Sequence, residues 1–212
     1  MEEIKNEIVH FPVVFTFSGV MNSGKDTCAA MMFEELKKQG KKVLYVNYAD
    51  FLKVICAKNF GYDDSNKEKD RHIIQDFGTY VRGVDERFWI DTVCHLFDIL
   101  RHDYDAFIIG DARYENELKP YPYRLSYPFF NIYIEREMHE DINKQSLEHE
   151  SEQMNLKPDL EVFNFIIDNN GTLEETKEQI KQIIDITFGL KEKFLNAQRG
   201  ITDEQLQSIL EQ

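Results

Sequence analysis

Five short apolar runs punctuate the chain, at 13–17 (VVFTF), 43–46 (VLYV), 107–109 (FII), 129–134 (FFNIYI) and 163–167 (FNFII). They are too short for ordinary helices, and most are apolar at successive positions. That is the pattern of strands buried on both faces of a parallel sheet. Between the runs, apolar residues recur every three or four positions, which predicts helices. Alternating strands and helices of this kind define an α/β protein.

The helix signals are local. The segment 26–39 carries Ala30, Phe33 and Leu36 at helical spacing and stops at Gly40, a C-terminal cap. Asp85 precedes an apolar stripe of Trp89, Val93, Leu96, Phe97 and Leu100, so the acid caps and the tryptophan packs. Thr172 with Glu175, and Thr202 with Gln205, have the spacing of capping boxes. Two segments exceed a minimal α/β frame: 50–103, between the second and third strands, and the polar stretch 136–160, between the fourth and fifth. Such insertions at the carboxyl ends of parallel strands predict a substrate-holding region and a closing lid. The expected organisation is one domain over 1–187, with 188–212 a helical appendage that carries no evident chemistry.

Composition narrows the function. A chain of 212 residues suits a single domain. Its formal charge of −14 argues against nucleic acid as partner, because that affinity rests on neutralised phosphates. No apolar stretch approaches the roughly 20 residues of a membrane span. The N-terminus lacks the pattern of a secretory signal, and three scattered cysteines, Cys28, Cys56 and Cys94, suit a reducing cytoplasm. In so acidic a protein an anionic ligand must be gathered by local cations, which makes the few arginines informative.

The first apolar run leads into GVMNSGKDT, residues 19–27. Gly19 and Gly24 let backbone approach phosphate closely, the amides of Ser23, Gly24 and Lys25 can converge on oxygens, and Lys25 can bridge the outer phosphates of ATP. A plain strand-to-helix turn with a solvated lysine is the alternative. The usual loop has a hydroxyl directly after the lysine, to hold magnesium; here Asp26 stands there and Thr27 follows. An acid beside a triphosphate makes sense with Mg2+ between them, held by Asp26 or Thr27, although Asp26 also suits a helix first turn. Downstream, Asp111 directly follows the run FIIG and matches an acid that orients magnesium water. Arg113, two residues on, can clamp an acceptor phosphate bidentately, or form a surface ion pair.

With these pieces in place, the chain resembles the phage-type deoxynucleoside monophosphate kinases, relatives of phosphomevalonate kinases and, more loosely, dephospho-coenzyme A kinases. The matching segments are SGVMNSGKDT (18–27), YADFLK (48–53), IIQDFGTYVRGVDERFWID (73–91), IIGDARYENE (108–117), EHESE (148–152) and IIDNNGTLEE (166–175). The resemblance implies a three-layer, five-stranded parallel sheet with inserted substrate-binding helices and a lid. It implies an ATP- and magnesium-dependent transfer of the γ-phosphoryl group to a nucleoside monophosphate. ATP would be held by Gly19, Asn22, Ser23, Gly24, Lys25, Asp26 and Thr27, with Asn169 and Asn170 where a purine rests. The acceptor would meet Asp50, Lys53, Arg71, Gln75, Arg82 and Arg113. Metal would lie by Asp26, Thr27 and Asp111, and Arg136 would join Lys25, Asp111 and Arg113 around the transferring group. His149, Ser151 and Glu152 match the lid motif, Glu152 toward the substrate. Tyr80 and Tyr114 lie where a base can stack. Acceptors such as phosphomevalonate or dephospho-coenzyme A, and a nucleotide-binding module without transfer activity, stay open, as does assembly into a homodimer.

Overall fold

The structure is a computed structural model that describes residues 11–118, 128–137 and 160–198. The chain runs β1 (Val13–Ser18), α1 (Lys25–Lys38), β2 (Val43–Val46), α2 (Tyr48–Phe60), α3 (Lys67–Val84), α4 (Phe88–Leu100), β3 (Ala106–Ile109), α5 (Glu115–Leu118), β4 (Phe129–Glu135), β5 (Phe165–Asp168) and α6 (Leu173–Gln198). All four strand pairings are parallel, and the strand order is β2-β3-β1-β4-β5. From β1 the chain crosses over to β2, while from β3 it crosses the other way to β4. The topological switch therefore falls between β1 and β3, where sheets of this kind open a ligand crevice.

Period-two alternation divides the sheet's side chains between two cores. Phe15 and Phe17 of β1 and Ile108 of β3 pack under Cys28, Met32 and Leu36 of α1 and Ile180 and Ile184 of α6. On the opposite face, Val14, Phe107 and Ile109 pack against Val93, Cys94 and Phe97 of α4, with Phe97 and Phe107 stacked at 4.0 Å between ring centroids. The result is three layers. A smaller cluster, Leu52, Cys56, Tyr62 and Trp89, joins α2 and the turn after it to the first turn of α4, and Phe77 of α3 lies against it. Thus the inserted helices carry a core of their own beside the crevice. Trp89 packs as its place in the stripe predicts. Asp85 accepts the amide of Arg87 at 2.9 Å, a turn just ahead of α4.

Some boundaries differ from expectation. The buried face of α1 is Cys28, Ala29, Met32 and Leu36, rotated from the expected Ala30-Phe33-Leu36 stripe, and Ala30 is exposed. The fifth strand begins at Phe165 because the Asn164 side chain turns to accept the amide of Asn131 at 2.8 Å. Helix α6 runs unbroken through position 187; Phe188 packs on the main core and Lys191 is buried. The second capping box, at 202–205, lies outside the described residues. The first forms as read: Glu175 accepts from the Thr172 amide at 2.7 Å, and Thr172 Oγ1 accepts from the Glu175 amide at 3.3 Å. Among the described residues no helix is long and apolar enough to cross a membrane.

Candidate functional site

The loop after β1 owes its shape to backbone that few side chains tolerate. Asn22 (φ 65°) and Gly24 (φ 92°) are left-handed, and Gly19 lies at φ 154°. A Cβ on Gly19 would come within 2.9 Å of the Ile134 carbonyl, and one on Gly24 would strike the Asn169 amide nitrogen. The glycines are therefore required by a wrapped, closely approached turn. It delivers Lys25 to the first position of α1, where helix amides lack intrahelical partners and the dipole favours anions. Lys25 is only 7% exposed, and the hydroxyl of Ser23 is buried with no hydrogen-bond partner among the described residues.

Lys25 and Asp26 form one side of a cavity of about 530 Å3 in the crevice between β1 and β3. The same cavity is lined by four of the expected acceptor-side groups, Lys53 from α2 and Arg71, Gln75 and Arg82 from α3. Asp111, Arg113 and Tyr114 of the loop after β3 line it too. Residues spread over about ninety positions thus share one space, where five cations (Lys25, Lys53, Arg71, Arg82 and Arg113) stand with four carboxylates (Asp26, Asp64, Asp111 and Glu117). In a chain of net charge −14 that is a local balance far more favourable to an anion than the molecule as a whole.

Asp111 is tied into this wall by backbone. Its two carboxylate oxygens accept the amides of Tyr48 at 2.8 Å and Ala49 at 3.0 Å, capping the first turn of α2. Burial pushes its carboxyl above the usual range, with those amides and the Arg113 guanidinium pulling the other way. A second stitch joins the same ends, as the Gly110 amide donates to Asn47 Oδ1 at 3.2 Å. Burial, and after it the charges of Asp26, Asp111 and Asp50, lift the Tyr45 phenol to about 12, and Asp26 and Asp111 line the same cavity as Tyr45.

That pair fits magnesium. Mg2+ is commonly held by one or two carboxylates together with substrate phosphates and waters, and it needs no all-protein cage. Asp111, with both oxygens occupied by amides, suits contact through water. Thr27 does not join the pair. One residue further round α1, it is exposed and lines a separate groove between α1 and α6 with Met31 and Lys177. Of the two candidates for the metal side, Asp26 lines the cavity and Thr27 does not.

Other expected site residues do structural work or lie off the cavity. Asp50 accepts the Asn47 amide at 2.8 Å in a capping box for α2 and does not line the cavity. Asn169 donates to the Ser23 carbonyl at 2.8 Å and accepts from Thr176 Oγ1 at 3.0 Å, which makes it a brace for the phosphate loop. Asn170 donates to Asp168 and accepts the Glu137 amide at 2.7 Å, tying the exit of β4 to that of β5. Arg136 is exposed at that exit, near enough to lower the Cys28 thiol, which burial raises to about 11. Neither Arg136 nor Asn22 lines the cavity. Tyr80 is 69% exposed and points elsewhere, whereas Tyr114 lines the cavity with the Arg82 guanidinium 4.3 Å above its ring. His149, Ser151 and Glu152 lie outside the described residues.

The cavity also contains groups that the sequence did not single out. Tyr45, Tyr48 and Tyr62 give it aromatic walls, and the Tyr62 hydroxyl donates to Asp64 at 2.6 Å, with Lys53 Nζ 3.8 Å from the same carboxylate. Glu117 is 4% exposed and accepts the amides of Arg113 at 2.7 Å and Tyr114 at 3.0 Å. Burial, then the charge of Asp111, pushes its carboxyl up to about 7, against the pull of those amides and of Arg82. Asn131, also missed, joins β1, α5 and the turn before β5. Its Oδ1 accepts the Thr16 hydroxyl at 2.5 Å, and its Nδ2 donates to the carbonyls of Leu118 at 2.6 Å and Val162 at 2.8 Å.

No protein-family model and no curated protein matches this chain. Among solved structures, a dephospho-CoA kinase from Campylobacter jejuni superposes with a TM-score of 0.52 at 12% identity, over 83% of this chain and 98% of that one. A shikimate kinase from Acinetobacter baumannii gives 0.46 at 16% identity, over 85% and 95% of the two chains. An APS kinase from Mycobacterium tuberculosis gives 0.46 at 11%, over 83% and 97%. The parallel five-stranded sheet, its flanking helices and the first of these superpositions give the chain the fold of a phosphate-loop kinase.

Proposed function

We propose that this protein is an ATP- and magnesium-dependent kinase of a phosphorylated small molecule, and that its acceptor is a nucleoside 5′-monophosphate, a deoxynucleotide first among them. The observation that carries this reading is the sharing of one cavity by two sets of groups: Lys25 and Asp26 from the start of α1, and Lys53, Arg71, Arg82 and Arg113 from α2, α3 and the loop after β3. Retaining ATP alone calls for the first set. Further cations in the same space call for a second anion.

The chemistry asked of the protein is alignment and charge neutralisation, with no covalent intermediate. Lys25 would meet the outer phosphates at the start of α1. Asp26 and, through water, Asp111 would hold magnesium, which offsets charge on the oxygens between donor and acceptor when bound. Arg82 and Arg113, whose guanidinium groups match phosphate geometry in pairs of hydrogen bonds, would fix the acceptor in line. The tyrosine-rich wall of Tyr45, Tyr48, Tyr62 and Tyr114 supports an acceptor with a flat ring over an isoprenoid one.

The test is a panel of acceptors with ATP and Mg2+. It contains the eight common ribo- and deoxynucleoside monophosphates, phosphomevalonate and dephospho-coenzyme A, with ADP release and product mass recorded. A nucleoside diphosphate as product is the expected result. Transfer only to one of the last two acceptors would replace the acceptor and keep the chemistry. ATP binding with no acceptor-dependent ADP release would leave a nucleotide-binding module and end the kinase reading.

A further inference from the structure

Arg82 owes its place in the cavity to groups from another part of the chain. Its guanidinium carbon sits over the Tyr114 ring, 4.3 Å from the ring centre, and its Nη2 is 3.8 Å from Glu117 Oε1. The other oxygen of the same carboxylate receives the amides of Arg113 and Tyr114. The Glu117 carbonyl in turn accepts the Tyr48 hydroxyl at 3.2 Å, and the next carbonyl, of Leu118, accepts from Asn131. One buried carboxylate is thus joined to the turn that bears Arg113, to the ring beneath Arg82 and to Arg82 itself.

We propose that Glu117 is the positioning residue of the acceptor site, presetting Arg82 and Arg113 as one clamp before any anion arrives. The assignment rests on the kinase reading for its consequence in turnover and on geometry alone for its structural content. A carboxylate inside an anion site opposes the ligand, and its burial carries a desolvation penalty. It is tolerable here because two amides and a guanidinium satisfy it, and its return is order. A free arginine surrenders considerable rotamer freedom on gripping a phosphate, whereas one already laid on a ring and held at its edge surrenders little. Glu117 faces the guanidinium from the side of α5, so the remaining edge of the guanidinium is left for the acceptor.

Glu117→Gln separates the two duties. The amide oxygen still accepts from Arg113 and Tyr114, so the turn persists, while the charge facing Arg82 is gone. At pH 8, above the raised range of the Glu117 carboxyl, the expected result is a melting temperature and an ATP KM close to wild type, with the acceptor KM raised on the order of tenfold, the scale of losing one charge-assisted contact. In an Arg82→Ala background the same change should add less than about twofold, because coupled residues fail to add. Alongside, 15N relaxation of the Arg82 side-chain Nε–H, assigned by its loss in Arg82→Lys, should show an ordered group in wild type and an averaged one in Glu117→Gln. An Arg82 signal equally ordered in both proteins overturns the assignment, and so does a fall in kcat with the acceptor KM unchanged. Should wild type itself lack acceptor-dependent turnover, the kinase reading falls, and the Arg82 relaxation still decides the role of Glu117.

Discussion

Replacing Asn169 by alanine would test whether this side chain braces the phosphate loop or cradles a purine. It makes two hydrogen bonds in a partly buried setting, one to the Ser23 carbonyl and one from Thr176 Oγ1. Thr176 Oγ1 keeps a second partner in the Thr172 carbonyl at 3.2 Å, so the carbonyl of Ser23 bears most of the loss. At about 1 kcal/mol for the bond to Ser23, and little for the one whose hydroxyl keeps a partner, the variant should lose ~1 kcal/mol of stability. For a chain of this size that lowers the melting temperature by roughly 2–4 °C. Because the freed carbonyl adjoins left-handed Gly24, the amides beyond it lose their fixed aim, and triphosphate affinity should fall whatever the base. Scanning fluorimetry gives the first number. Calorimetric titration with ATP and GTP, each with magnesium, gives the second. A melting temperature within about 1 °C of wild type, with affinity lost for ATP alone, would refute the brace and restore the purine-contact reading.

Lys25→Ala should cut turnover on the order of a hundredfold or more while the fold survives, as removal of a group that stabilises transferring charge does; ADP release under saturating ATP measures it, and near wild-type rates would remove Lys25 from the site. Asn131→Ala strips three hydrogen bonds from a residue 4% exposed and leaves two carbonyls short of a donor, so urea unfolding should report a loss of about 3–5 kcal/mol; less than about 1 would mean that its partners are satisfied by other means. The Glu117 carboxyl, raised by burial to about 7 in the fold, keeps a proton that the unfolded chain releases near pH 4.5. Between those values the native state binds more protons, so stability relative to Glu117→Gln should be greatest below about pH 4.5 and should be lost as pH rises through 7. Denaturation of both proteins across pH 4–8 checks the sign, and a relative stability that rises with pH contradicts it.

The parts of the fold that read clearly from the sequence are those set by neighbours in the chain. β1 lies buried on both faces, which leaves an uninterrupted apolar run, and Gly40 takes the positive φ that a helix stop needs. Thr172 and Glu175 cap α6 across three residues. The phosphate loop reads for the same reason. Harder features depend on contacts between distant positions. Asn169 meets Ser23 across 146 residues, and an Asn-Asn-Gly turn looks the same whether its side chain faces a ligand or a loop. Glu117 resembles any acid in a polar stretch until α5 folds it under Arg82. Thr27 and Asp26 differ by one step in sequence but by about 100° around α1, and only the packing of that helix on the sheet beside α6 decides that Asp26 lines the crevice while Thr27 lines the groove toward α6.

The double stitch between β3 and α2 has a mechanical consequence. With Asp111 holding the first two amides of α2, and Gly110 holding Asn47 just before them, the start of that helix is moored to the middle of the sheet. Swinging α2 outward at that end would strand a buried carboxylate together with the amides it now serves. Breathing of the chamber is therefore left to parts hinged elsewhere, and the floor on which Lys53 stands keeps its distance from the phosphate loop whether the chamber is full or empty.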